Sequence, residues 1–165
     1  MVLFSDSSPD LRIRKSEADF FYRAAALIIH EGKLLAVRHV NHPGLYYTVG
    51  GAVRINETTQ EAVLRETCEE IGVMLEIDRL AFVNERFVAV NDMKFHEIVF
   101  YYMMKSKCLE SLSIADGRPT DQGAVETLHW LPLDKLNDYN LVPGFLKSRK
   151  LANITAVEHI ISKEY

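Results

Sequence analysis

Cysteine is scarce in this chain: only Cys68 and Cys108 occur, and neither has a histidine or cysteine partner at metal-binding spacing. A disulfide framework and a zinc ribbon are therefore excluded, and both thiols are expected to be reduced and without catalytic duty. No run of about 18 apolar residues is present, and residues 1–14 carry aspartates and serines where a signal peptide needs an apolar centre. The expectation is a soluble, cytoplasmic protein with no membrane partner. Nor does either charge dominate. With 19 Lys and Arg against 23 Asp and Glu, the net charge is -4 and the isoelectric point is near 5.9, so a general polyanion surface is absent and nucleic acid is not an expected partner. Repeats, low-complexity tracts and interdomain linkers are also missing. The remainder, 165 residues with 48% hydrophobic content, suffices for one domain spanning residues 1–165 with a real core.

The densest information lies between Gly51 and Val73, GAVRINETTQEAVLRETCEEIGV. Thr58 with Glu61 has the form of a capping box, which predicts a helix beginning near Thr59. Gly72 supplies the stop, because glycine readily takes the left-handed conformation that closes helices. On a helical wheel Glu66, Glu69 and Glu70 share one arc of about 100°, while Val63, Leu64, Thr67 and Ile71 form a separate apolar stripe. Like charges at three- and four-residue spacing repel by a few tenths of a kcal/mol each. A divalent cation would offset that cost, and magnesium commonly bridges one or two carboxylates to substrate phosphates. Otherwise such a row is a solvated acidic face, with pairs such as Arg65 to Glu69.

The spacing Gly51, Glu57, Arg65-Glu66, Glu69-Glu70, Gly72-Val73 resembles the Nudix box, G-x5-E-x7-R-E-U-x-E-E-x-G-U with U a bulky aliphatic. Its one departure is Thr67 at the first U, which has the branched shape of valine but adds a hydroxyl. The resemblance to this MutT-like family implies an α/β fold, an α/β/α sandwich with a mixed sheet between helices. It also implies Mg2+, or Mn2+, held by Glu66, Glu69 and Glu70 with the carbonyl of Gly50, and Arg65 paired with Glu57 to brace the loop against the helix. These residues, Glu57, Arg65, Glu66, Glu69 and Glu70, are the expected catalytic set.

By the same resemblance, the implied activity is hydrolysis of the pyrophosphate bond in a small-molecule nucleotide, a nucleoside diphosphate linked to another moiety, of the ADP-ribose or nucleotide-sugar type. Alternatives are a nucleoside triphosphate pyrophosphatase and a non-catalytic nucleotide-sensing module. Diphosphate hydrolysis needs a positioned water and cations for the remaining oxygens. Arg23, Arg38, Arg54 and Arg86 lie near expected strand ends or loops and are the candidate substrate contacts, with His39 beside them. Glu66, Glu97, Asp121 and Glu126 are open candidates for the general base. Tyr46, Tyr47, Phe87, Phe95 and Trp130 could stack on a base but are more economically read as core. A homodimer is left open by the resemblance alone.

Along the rest of the chain, residues 23–30 and 33–40 read as a hairpin across Glu31-Gly32, and residues 80–89 and 95–104 as another across Asn91-Asp92. Residues 109–123 have loop composition, Val125–Leu131 reads as a strand, and Pro132 opens a short helical segment. A second long helix is expected over Phe145–Ser162.

Overall fold

The computed structural model describes residues 8–105, 114–121 and 123–164; the expectations for Cys108, for much of the loop at 109–123 and for the first seven residues lie outside these. The strands are β1 (Arg12–Arg14), β2 (Ala18–Leu27), β3 (Ile29–His30), β4 (Lys33–His39), β5 (Leu45–Ala52), β6 (Ile77–Val90), β7 (Met93–Met104), β8 (Pro119–Thr120), β9 (Gly123–Pro132), β10 (Asn140–Val142) and β11 (Glu158–Glu164). One α-helix, α1, spans Thr59–Ile71 between β5 and β6. The main path of the sheet runs β11-β6-β7-β2-β5-β4-β9-β8. Pairs β11/β6, β2/β7 and β10/β5 are parallel and the others antiparallel, so the sheet is mixed. This is consistent with the α/β/α sandwich anticipated from the box, with α1 on one face of the sheet and short 3₁₀ turns on the other.

Both expected hairpins form. Their turns place two successive residues at positive φ, Glu31 and Gly32 at 47° and 72°, and Asn91 and Asp92 at 48° and 67°. That handedness matches the twist of paired strands.

The strand β2 is apolar at consecutive positions because it is buried on both faces. Ala24 and Ala26 join a core under α1 with Val63, Ile71, Tyr102 and Leu128; Ala25 and Leu27 join a second core with Phe82, Leu141, Leu146 and Leu151 on the opposite face. The small alanines let β5 and α1 approach.

The second long helix does not form. The region holds short 3₁₀ turns at Gly144–Ser148 and Leu151–Asn153, followed by β11, which pairs in parallel with β6. Its buried residues Leu146, Leu151, Ile154 and Ile160 are spaced too irregularly for one helical stripe. In their place β11, with the β-branched pair Ile160-Ile161, extends the sheet, where such side chains pack well. The 3₁₀ turns cover the second core where a helix was expected.

Candidate active site

The helix that carries the acidic row is fastened at both ends. Thr58 accepts the N–H of Glu61 through its hydroxyl, and the Glu61 carboxylate accepts the backbone N–H of Thr58, completing the capping box. Gly72 closes the helix in the left-handed region, at φ 72°, and its N–H donates to the Cys68 carbonyl. Beyond it, Arg118 donates to the carbonyl of Ile71 at 2.5 Å. Thr67, the one departure from the box, is fully buried, and its hydroxyl donates to the Leu64 carbonyl at 3.0 Å. The extra polar group is thus satisfied within the helix.

At the centre stands Arg65, 2% exposed. Its Nε and Nη2 donate to the two oxygens of Glu57 at 2.7 and 3.0 Å, a bidentate pair, and Nη2 also donates to the Ala52 carbonyl at 3.0 Å. Nη1 faces Glu66 at 2.5 Å and Glu69 at 3.3 Å. Burial alone would raise the Glu57 carboxyl, but the donors of Arg65 and the N–H of Arg54 hold it below its usual range. This assembly ties the loop after β5 to α1.

Two glycines let the strand and the helix meet. Gly51 lies against Glu66: a Cβ there would sit 2.4 Å from its carboxyl carbon. Gly50 has φ 144°, and a Cβ on it would meet the Ala24 carbonyl oxygen at 2.3 Å, so only glycine fits between β5 and β2. The Gly50 N–H points at Oε1 of Glu70, 3.3 Å away.

The three carboxylates are not equivalent. Glu69 is partly exposed and lies between Arg65 and Arg54, the latter at 3.8 Å. Glu66 is partly buried, and that loss of solvent raises its carboxyl despite the Arg65 contact. Glu70 is driven well above the carboxylate range by burial first and by the neighbouring Glu66 charge second, with Glu126 adding to it. Its Oε2 is buried without a hydrogen-bond partner.

That unpartnered oxygen is what a divalent cation would satisfy, and the mutual repulsion of Glu66 and Glu70 is what it would relieve. Among the described residues no group of three or more His, Cys, Asp or Glu side chains is arranged to hold a metal ion. A magnesium ion held by one or two carboxylates, waters and substrate oxygens does not require one. The donor set Glu66 and Glu70 therefore fits the expected ion, with Glu69 engaged by arginines as the structure stands.

Glu70 and Gly50 open on a cavity of about 280 Å³ lined also by Arg23, Val37, His39, His42, Tyr47, Thr48 and Glu126. A narrow recess of about 40 Å³ shares Arg23, Tyr47, Thr48 and Gly50 and continues to Arg86, Glu97 and Tyr101. The fold thus brings Arg23, Arg86, Glu126 and Glu97 to the wall beside the acidic row. Arg54 sits at the mouth of the box loop, bonded by its N–H to Glu57. Arg38 is exposed and lines neither space, because it alternates with Val37 and His39, which do. Asp121 is likewise exposed and outside the lining.

Of the five aromatic candidates, Tyr47 alone lines this cavity. Tyr46 packs on Tyr139, and the Trp130 indole donates to the Ile114 carbonyl. Phe87 and Phe95 border a separate apolar cleft of about 470 Å³ at the tip of the β6–β7 hairpin. Sequence reasoning missed His42 and Thr48, and their only local signal is proximity to the Gly50-Gly51 pair.

Comparison with known proteins agrees with the fold. The family profile described as NUDIX domain matches residues 20–151. A curated relative, a MutT-like protein from Streptomyces ambofaciens, is 35% identical over 60 residues, 36% of this chain and 38% of that protein. Thus the aligned part of this chain spans well under half of that relative. Among solved structures, a NUDIX hydrolase from Nitrosomonas europaea superposes with a TM-score of 0.60 at 17% identity, covering 87% of this chain and 79% of that one. An ADP-ribose pyrophosphatase from Streptococcus suis gives 0.54 at 16% identity, covering 86% and 98%.

Proposed function

Since this chain belongs to the Nudix family, we propose that it is a metal-dependent hydrolase that cleaves the pyrophosphate bond of a nucleoside diphosphate linked to a second group. The observation that carries the proposal is the buried Glu70 oxygen without a partner, next to Glu66, on the wall of a cavity that also presents the Arg23 guanidinium. An acidic pair alone would repel a diphosphate; an acidic pair completed by a cation, opposite an arginine, attracts one.

Glu66 and Glu70 would hold the ion, Mg2+ or Mn2+, with Glu69 released from Arg65 and Arg54 as a third ligand. When bound, such an ion neutralises charge on the phosphate oxygens and lowers the pKa of a coordinated water. Arg23 donates to the diphosphate, orienting it along the cavity. Glu57 and Arg65 keep the box loop against α1, so that Gly51 leaves room for the Glu66 carboxylate. Glu126 faces Glu70 across the same space and is the carboxylate placed to accept the proton of an attacking water. Both oxygens of Glu97 face arginine donors, which leaves it poorly suited to that task. Among the described residues no helix is long and apolar enough to cross a membrane.

An ADP-ribose pyrophosphatase and a UDP-X diphosphatase are among the solved structures that share this fold. The test is magnesium-dependent turnover on ADP-ribose, nucleotide sugars, dinucleoside polyphosphates and nucleoside triphosphates, with products identified by mass. Release of a nucleoside monophosphate from a linked diphosphate supports the proposal. Turnover of triphosphates alone would replace the substrate class, and nucleotide binding without any product would favour a sensing module.

A further inference from the structure

Beside the cavity lies a chain of ion pairs that the acidic row does not explain. Glu97 on β7 is buried, 8% exposed. Its Oε1 faces Nη1 of Arg23 at 3.3 Å, and its Oε2 accepts from Nη1 of Arg86 at 2.8 Å. Arg86 in turn donates through Nη2 to Glu164 at 2.7 Å. Strand register makes this possible. Arg86 on β6 stands opposite Glu97 on β7 and opposite Ser162 on β11, which brings the end of β11 alongside.

The two arginines differ in what they can reach. Arg86 has both terminal nitrogens committed to carboxylates and borders only the narrow recess. Arg23 borders both the recess and the main cavity, its side chain is 39% exposed, and a single long contact to Glu97 leaves most of its five donors available. A long side chain on a strand would otherwise sample many rotamers, and ordering it on binding costs affinity.

We propose that Glu97 is a positioning residue: anchored by Arg86 and, behind it, by Glu164, it sets the Arg23 guanidinium at the cavity wall in the orientation that receives the diphosphate. This rests on the reading of the cavity as a diphosphate site. Glu97 does not touch the substrate. Its contribution is geometric, since the carboxylate sits between two cations and subtracts from their field. The terminal strand β11 thereby takes part in substrate binding at second hand, through Glu164.

A glutamine at this position has one acceptor oxygen. Arg86, the closer arginine, would take it, and the amide N–H₂ would then face Arg23 and displace it. The experiment is the affinity for imidodiphosphate with Mg2+, measured by calorimetry for the wild-type chain, Glu97→Gln, Arg23→Gln and the double variant. Glu97→Gln is expected to weaken binding about tenfold, whereas in the Arg23→Gln background the same change has less than about a twofold effect. Glu97→Asp, which keeps the charge but is one methylene too short to span both arginines, gives the same cycle if the amide variant does not fold. Unchanged affinity in Glu97→Gln, equal losses in both backgrounds, or no binding by the wild-type chain would each overturn the inference. Turnover on the nucleotide panel decides the hydrolase reading separately, because imidodiphosphate affinity does not depend on hydrolysis.

Discussion

Gly51 and Glu66 are fitted to one another: a Cβ on the glycine would lie 2.4 Å from the carboxyl carbon and from one carboxylate oxygen of the glutamate. The absence of a side chain on β5 is thus part of what places a carboxylate of α1.

Gly51→Ala is accordingly expected to displace Glu66 while leaving the backbone unstrained. Overpacking of this kind costs about 1–3 kcal/mol, and magnesium affinity should fall with it. Gly50→Ala faces backbone rather than side chain, and at φ 144° it adds conformational strain, so its loss should be larger, about 2–5 kcal/mol. Denaturant unfolding of the two variants side by side checks the order; equal stabilities would contradict it.

The Glu57–Arg65 pair predicts a strong effect from a single amide. Glu57→Gln leaves Arg65, nearly inaccessible to solvent, without its bidentate partner. Breaking a buried pair from one side costs about 3–5 kcal/mol. The Glu57 carboxyl is depressed in the folded state, so its contribution is complete above the ordinary carboxylate range and is lost as pH falls through the folded value. The variant should therefore lose stability at neutral pH and show a flatter acid limb, which urea titrations across the acid range would reveal.

For Glu70 the sign is opposite. Its carboxyl is raised on folding, so the native chain holds the proton more tightly than the unfolded one. Stability of the metal-free protein then declines as pH rises from the ordinary carboxylate range toward the folded value. A cation binding there must displace the proton. Magnesium affinity should rise with pH, with proton uptake by the buffer, in calorimetry performed in two buffers of different ionisation enthalpy. Binding independent of pH and buffer would contradict this placement.

The terminal strand gives a prediction outside the site. Asn84 on β6 is fully buried, and its amide donates to the Ile160 carbonyl at 3.2 Å and to the Ser162 hydroxyl at 3.0 Å. Asn84→Ala leaves buried groups unsatisfied, at about 1–3 kcal/mol. Amide exchange should accelerate first in β11. Uniform acceleration over the whole sheet would argue against a specific tether.

How much of this was legible beforehand follows from the range of the interactions. The box helix, with its cap and its stop, is written in residues close in sequence, and the sequence reading placed it from Thr59 to Gly72, while the pairing of Arg65 with Glu57 was implied by the family resemblance. Both hairpins were equally local. The terminal strand was not: β11 exists because β6 offers an edge some 76 residues upstream, as in the Asn84–Ile160 bond, and local periodicity carries no trace of that edge. For the same reason the arginines could be proposed only as a group. Strand alternation then separates Arg23, on the cavity, from Arg38, which faces away from it, and pairing across strands turns Glu97 from a candidate base into a partner of two cations.

The most direct test is the turnover number of Glu70→Gln on whichever linked diphosphate the wild-type chain hydrolyses, at saturating magnesium. Glutamine keeps the shape and can still accept from the Gly50 N–H, but it removes the charge that the unpartnered oxygen offers to a cation. The account predicts a fall of at least about a hundredfold in kcat, because the ion's charge stabilisation amounts to several kcal/mol, with the fold intact by circular dichroism. A folded Glu70→Gln protein with undiminished kcat would contradict it.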